Sequence, residues 1–179
     1  MTRAAPQPTL TTPRLLLRPM ALDDAADIER LAGVFEVAGT TLNIPHPYPP
    51  GAARPFIEQQ RAAWHEDKGA TWAITRDGAL IGLIGIGTST RVHSRAEIGY
   101  WIAHPEWNRG YATEAARAVV ELAFADGFHR VQATHLTRNP ASGRVMQKIG
   151  MQHEGRLRAF VRRFDRFEDI EMYAILAAE

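Results

Sequence analysis

Between residues 96 and 118 the sequence changes period, and that change constrains the fold more than any other stretch. Ile98, Tyr100 and Ile102 alternate with Glu97, Gly99 and Trp101, the period of two expected of a half-buried strand. From Tyr111 to Phe124 the apolar residues recur at helical spacing instead. The join is a tight turn, Trp107-Asn108-Arg109-Gly110-Tyr111-Ala112-Thr113. A strand that passes through such a turn into a helix leaves the first helical N–H groups without partners, and the helix dipole makes that end electropositive. Phosphate is the expected guest. Gly110 lets a ligand approach the backbone closely, and Arg109 carries a permanent cation.

The remaining elements follow from the same two periods. Strands are expected over 14–20, 70–76, 79–88, 95–104, 130–136, 150–158 and 168–176, and helices over 23–32, 52–66, 111–125 and 140–149. Asp77-Gly78 is the two-residue signal for a type I′ hairpin, and Pro19 belongs at a strand end or sheet edge. Residues 39–51 hold four prolines, which forbids a regular element and predicts an ordered loop displaying His46 and Tyr48. Residues 1–13, rich in Pro and Thr, are expected to form a loose tail, with 14–179 as one domain. Strands with helices inserted between them give an α+β class, a mixed sheet covered by helices.

Several function classes are disfavoured by composition. The 21 basic and 20 acidic residues are interleaved for a net charge of +1, so no basic footprint points to nucleic acid. The absence of cysteine removes disulfides, thiolate metal sites and an acyl-cysteine intermediate. The seven histidines lack metal-ligand spacing, so no metal is expected. No signal-peptide core or membrane-length apolar run is present, so no membrane partner is expected and the cytoplasm is the expected compartment. Gly85-x-Gly87 begins a dinucleotide fingerprint, but Thr90 holds the third glycine position and no helix follows, so this is a glycine-rich strand. The arginines at 156, 158, 162, 163 and 166 are interspersed with or followed by Asp165, Glu168, Asp169 and Glu171. A solvated hairpin tip is therefore favoured over a lip that recruits acidic substrates.

Two motifs carry a resemblance. The run PEWNRGYATEA at 105–115 resembles the pyrophosphate-binding turn of the GCN5-related N-acetyltransferases (GNAT superfamily). Together with NPASGRVMQKIGM at 139–151, it is similar to the Rim-type branch that acetylates protein N-termini, where an aromatic often stands at the position of Trp107. The resemblance runs from Arg14 to the last residue and implies a mixed, mostly antiparallel sheet of about seven strands with helices on both faces. It also implies acetyl-CoA as co-substrate. The donor would lie along Ile102, Ala103 and His104, on the turn formed by Asn108, Arg109, Gly110, Tyr111, Ala112 and Thr113, and against Asn139, Ser142 and Met146. Asn139-Pro140 also reads as a plain N-cap followed by N1. The family's usual tyrosine acid is replaced here by Met146, which makes Ser142 the candidate acid. Homodimers are common in the family, so a homodimer is a further expectation.

Glu97 is the candidate base, because an unpaired half-buried carboxylate would have a raised pKa; the alternative is an ion pair with Arg91 or Arg95. His104 is the competing base. The expected reaction is direct attack of a primary amine on the thioester through a tetrahedral intermediate, with a strand N–H near Ile102 facing the oxyanion. The acceptor is a protein N-terminal α-amine or a small amine. An α-amine titrates near pH 8 and lysine near 10.4, so neutral lysine costs about 3 kcal/mol more at pH 7. The rival class is a non-catalytic acyl-CoA-binding or regulatory module.

Overall fold

The computed structural model describes residues 5–177, with backbone alone at 88–90. Eight strands form one sheet in the order β1-β2-β3-β4-β5-β6-β8-β7. In chain order they are β1 Leu10–Thr11, β2 Leu16–Pro19, β3 Gly69–Arg76, β4 Ala79–Thr90, β5 Arg95–Ile102, β6 Arg130–Leu136, β7 Gln152–Arg163 and β8 Arg166–Leu176. The helices are α1 Ala25–Ala32, α2 Phe35–Ala38, α3 Ala53–His65, α4 Tyr111–Ala125 and α5 Pro140–Lys148. Short 3-10 turns at Leu22–Asp24 and His104–Glu106 precede α1 and follow β5.

The turns do what their residues dictate. Asp77 and Gly78 both have positive φ, 50° and 82°, as a type I′ turn requires, and Phe164 and Asp165 repeat this at 46° and 64° between β7 and β8. Each face of the sheet then buries a core. On one, α4 lays Ala115, Ala116 and Val119 against Ile98 and Ile102 of β5. On the other, Ile28 of α1 and Ile57 of α3 cover Ala73, Leu83 and the partly buried Trp101. Burying one such isoleucine stabilises the fold by about 1.5–3 kcal/mol.

The loose tail expected over residues 1–13 is corrected for residues 5–13, residues 1–4 lying outside the described residues. Residues 5–13 are tied down, because buried indole N–H groups need acceptors. Trp64 Nε1 donates to the Ala5 carbonyl at 2.8 Å and Trp72 Nε1 to that of Pro8 at 2.7 Å. Leu10 and Thr11 then pair with β2, adding an eighth strand to the seven expected. The closing hairpin is also longer than expected, since β7 is an exposed sheet edge that shows no apolar alternation.

At the hairpin tip Arg162 pairs with Asp165 at 3.4 Å and Arg166 with Glu168 at 3.2 Å. Arg163 turns inward instead and donates to the carbonyls of Ala38 and Ile44, both at 2.8 Å.

One junction differs from all the rest. Six neighbouring pairs are antiparallel, while β5 and β6 are parallel and pair only through Arg95↔Arg130, Ala96↔Val131 and Glu97↔Gln132. Beyond Glu97 the ladder stops although β5 continues to Ile102 and β6 to Leu136. The sheet is open at its centre. Among the described residues, no helix is long and apolar enough to cross a membrane.

Candidate active site

The gap between β5 and β6 widens into a cleft of about 890 Å³. Its donor-side wall begins at the turn before α4. Asn108 and Gly110 hold positive φ of 61° and 82°, which short polar side chains and glycine tolerate best. The turn aims the first N–H groups of α4 outward, while Asn108, Gly110, Tyr111, Ala112 and Thr113 line the cleft. A side chain at Gly110 would enter strained backbone beside the Arg14 guanidinium, 3.4 Å from the added Cβ. This open, electropositive helix start fits a pyrophosphate.

Arg109 is placed differently from the expectation. It is half-exposed outside the cleft lining, with Nε 3.6 Å from Glu106. Its carbonyl accepts from Arg14 Nη1 at 3.0 Å. The Arg14 guanidinium is itself anchored on Glu114, Nε to Oε2 at 2.7 Å. His104 is exposed, stacks edge-on against Trp107 with ring centres 4.8 Å apart, and is not part of the cleft lining, so its side chain is not placed as a base.

The open edge of β5 has a definite polarity. Ala103 N donates across to Ile81 of β4 at 2.8 Å. Because backbone groups alternate sides along a strand, those of Tyr100 and Ile102 point the other way, into the gap. Trp107 Nε1 takes the Ile102 carbonyl at 2.7 Å, fixing the strand end against the phosphate turn. Ala103 is buried and turned toward β4, so it offers the gap no N–H.

Across the gap stands α5. Asn139 Oδ1 caps the helix by accepting from Ser142 N at 3.4 Å, while Nδ2 donates to the Thr40 carbonyl at 3.1 Å. Both ends of that side chain are thus engaged by protein. Met146 is only 1% exposed, packs in the core and contributes to the cleft lining from there. Ser142 lines the cleft, and its Oγ lies 3.0 Å from the hydroxyl of Tyr100, which also donates to the Ser142 carbonyl at 3.1 Å. Burial pushes the Tyr100 pKa up to about 12 despite the hydrogen bond to Ser142, so the phenol keeps its proton at neutral pH. Tyr100 is the functional candidate that the sequence reading passed over. Its signal was present: it is the one polar-tipped member of the row Ile98, Tyr100, Ile102.

Glu97 closes the inner end of the gap, in the last rung of the β5–β6 ladder. It is half-buried and is not unpaired, because Gln132 Nε2 donates to Oε2 at 3.1 Å. Arg91 does not serve it, being bound to Asp67 and Asp126. The bond from Gln132 orients the carboxylate without neutralising it. Among the described residues no group of three or more His, Cys, Asp or Glu side chains could hold a metal ion.

Comparison with known proteins agrees with this geometry. A family model described as an acetyltransferase (GNAT) domain matches residues 14–152. The uncharacterized N-acetyltransferase YoaA of Bacillus subtilis (strain 168) is 34% identical over 172 residues, covering 94% of this chain and 97% of that protein. The ribosomal-protein-serine acetyltransferase of Escherichia coli (strain K12) is 28% identical over 109 residues, 56% of this chain and 57% of that one. Among solved structures, Mycobacterium smegmatis RimJ in complex with CoA-disulfide is similar at a TM-score of 0.83 and 25% identity, covering 96% of this chain and 87% of that chain.

Proposed function

The chain belongs to the GNAT acetyltransferase family and is an acetyl-CoA-dependent N-acetyltransferase, and from that premise we propose that it acetylates a primary amine with Glu97 as base and Ser142, backed by Tyr100, as acid. Acetyl-CoA supplies the acetyl group as a thioester. The chain supplies the rest. The first turn of α4 and the turn at Asn108–Gly110 hold the pyrophosphate, and the backbone of Tyr100 and Ile102 faces the pantetheine arm.

The observation that carries the reading is the placement of two proton-handling groups on either side of one gap. Glu97 lies at its closed end, and the Ser142–Tyr100 pair crosses it. Glu97 takes a proton from the entering ammonium, directly or through one water, which frees the lone pair that bonds to the acetyl carbon. As the tetrahedral intermediate collapses and the carbon–sulfur bond breaks, the nitrogen loses its second proton to solvent. Ser142 Oγ gives its proton to the departing thiolate as the Tyr100 hydroxyl turns from the Ser142 carbonyl to pass its own proton to Oγ, and solvent in the cleft returns a proton to Tyr100. Positioned proton transfer of this kind contributes about 10²–10⁴-fold. The acceptor is a protein N-terminal α-amine or a small amine.

The test is release of free CoA thiol from acetyl-CoA in the presence of an amine panel. Wild-type protein should release thiol with at least one amine, and Glu97→Gln should lower kcat while leaving calorimetric acetyl-CoA affinity unchanged. Binding of acetyl-CoA with no thiol release across the panel would overturn catalysis in favour of a binding or regulatory module.

A further inference from the structure

The face of the sheet opposite α4 has an unusual floor. In the β4–β5 register Gly85 stands opposite Gly99, Gly87 opposite Glu97, and Leu83 opposite Trp101. Leu83 and Trp101 pack in the core under α1 and α3, so strand alternation turns Gly85, Gly87, Gly99 and Glu97 to that same face. None of the three glycines has the left-handed φ that would call for glycine. Glycine inside a strand also weakens it. What these positions preserve is space.

The space is measurable. A Cβ added at Gly99 meets nothing within 4 Å, and one at Gly87 meets only the Glu97 carbonyl at 3.9 Å. At Gly85 an added Cβ would come within 2.9 Å of Thr71 Oγ1, so that position is closed to any side chain while Thr71 donates to Gln60 Oε1 at 2.7 Å. Phe56 and Gln60 of α3 and Ile44 of the 39–51 loop line the cleft together with these glycines. The result is a slot with a backbone floor and largely neutral walls, running to Glu97.

Its charge is equally restricted. Among the described residues, Glu97 and Glu106 are the carboxylates that line the cleft. Glu106 lies at the phosphate turn and is engaged by Arg76 at 3.4 Å and Arg109 at 3.6 Å. Lys68 lines the rim beyond Gly87, where it pairs with Glu66 at 2.6 Å. An entering ammonium therefore meets one available carboxylate, and a second positive charge would be desolvated without a partner.

Resting on the acetyl-transfer reading above, we infer that the acceptor is a monocationic amine with a slim, neutral body that lies over Gly85 and Gly99 and presents its nitrogen to Glu97. Two sources share this chemistry, a peptide α-amine behind small uncharged residues and an alkyl monoamine. Polyamines do not fit it.

Steady-state kinetics at saturating acetyl-CoA with a Ser-Ala dipeptide amide, n-butylamine and spermidine would test the inference in wild type, Gly99→Ala and Gly99→Val. At least one monocation should exceed spermidine in kcat/KM by about tenfold or more, and the better monocation identifies the source. Gly99→Val should reduce acceptor kcat/KM at least about tenfold and Gly99→Ala by less, with calorimetric acetyl-CoA affinity unchanged in both. Equal turnover of spermidine overturns the charge argument. Wild-type acceptor kinetics in Gly99→Ala and in a Gly99→Val that melts normally overturn the slot. Absence of thiol release from wild type with every amine instead sinks the acetyl-transfer reading itself.

Discussion

At the scale of single residues, the proposed chemistry turns on a contact between positions 42 apart in sequence, the hydroxyls of Tyr100 and Ser142. Tyr100→Phe should lower kcat about tenfold or more without changing acetyl-CoA affinity, and adding Ser142→Ala should cost little further, since both act in one proton path. Stopped assays for CoA thiol with the two single variants and the double variant measure this. A fully additive double would separate the two roles. A neighbouring residue gives a sign reversal. Gly143 lies inside α5, where alanine normally stabilises a helix by about 1 kcal/mol. Here an added Cβ would come within 2.6 Å of His135 Nε2. That ring is buried, Nδ1 donates to the Leu136 carbonyl at 2.8 Å, and Nε2 finds no hydrogen-bond partner among the described residues. Gly143→Ala should therefore destabilise by about 1–2 kcal/mol, since overpacking outweighs the helix gain, and thermal melting shows the direction. Glu97 and Ser142 could be picked out from the sequence because motif and alternation mark them. Tyr100 stood out only as the polar-tipped member of its row, while its contact with Ser142 and the His135–Gly143 contact could not be read, because both depend on how β5, β6 and α5 meet.

At the scale of elements, the join of β6, β8 and β7 carries a buried carboxylate. Burial pushes the Glu171 pKa up, but hydrogen bonds from His153 at 2.8 Å, Arg156 at 2.8 Å and Thr137 at 3.0 Å outweigh it and hold the group at about 2. The folded value lies below the unfolded one of about 4.3, so the stabilisation is complete above that pH and is lost as pH falls toward 2. The melting temperature of wild type should drop steeply below about pH 4, and Glu171→Gln should flatten that acid limb while lowering stability at neutral pH. Unchanged slope in the variant would assign the acid loss to other carboxylates. Most elements were legible for a plain reason: β6, the Asp77-Gly78 turn and α4 have periods or turn chemistry of their own. Residues 5–13 have none, and are held by acceptors they offer to Trp64 and Trp72.

At the scale of the whole molecule, both chain-end regions converge on the cleft. Arg14, just past the N-terminal strand, fastens the phosphate turn through Glu114 and the Arg109 carbonyl. From the other end, Arg163 of the closing hairpin holds the carbonyls of Ala38 and Ile44, and Val37, Thr40 and Ile44 line the cleft. Burial, together with the positive field of Arg138, lowers the Arg163 pKa, so this bridge bears a desolvation cost that two carbonyl acceptors partly offset. Arg163→Ala should raise acceptor KM several-fold while calorimetric acetyl-CoA affinity stays the same, a split that global destabilisation would not produce. The proposed donor half rests on a local strand–turn–helix whose elements could be read in order along the chain. The proposed acceptor half was not, because the loop lining it is held by a residue more than a hundred positions away in sequence. On the proposed reading the guanidinium works as a latch pin, so changes in the outermost hairpin would retune which amines are admitted without disturbing the grip on the thioester.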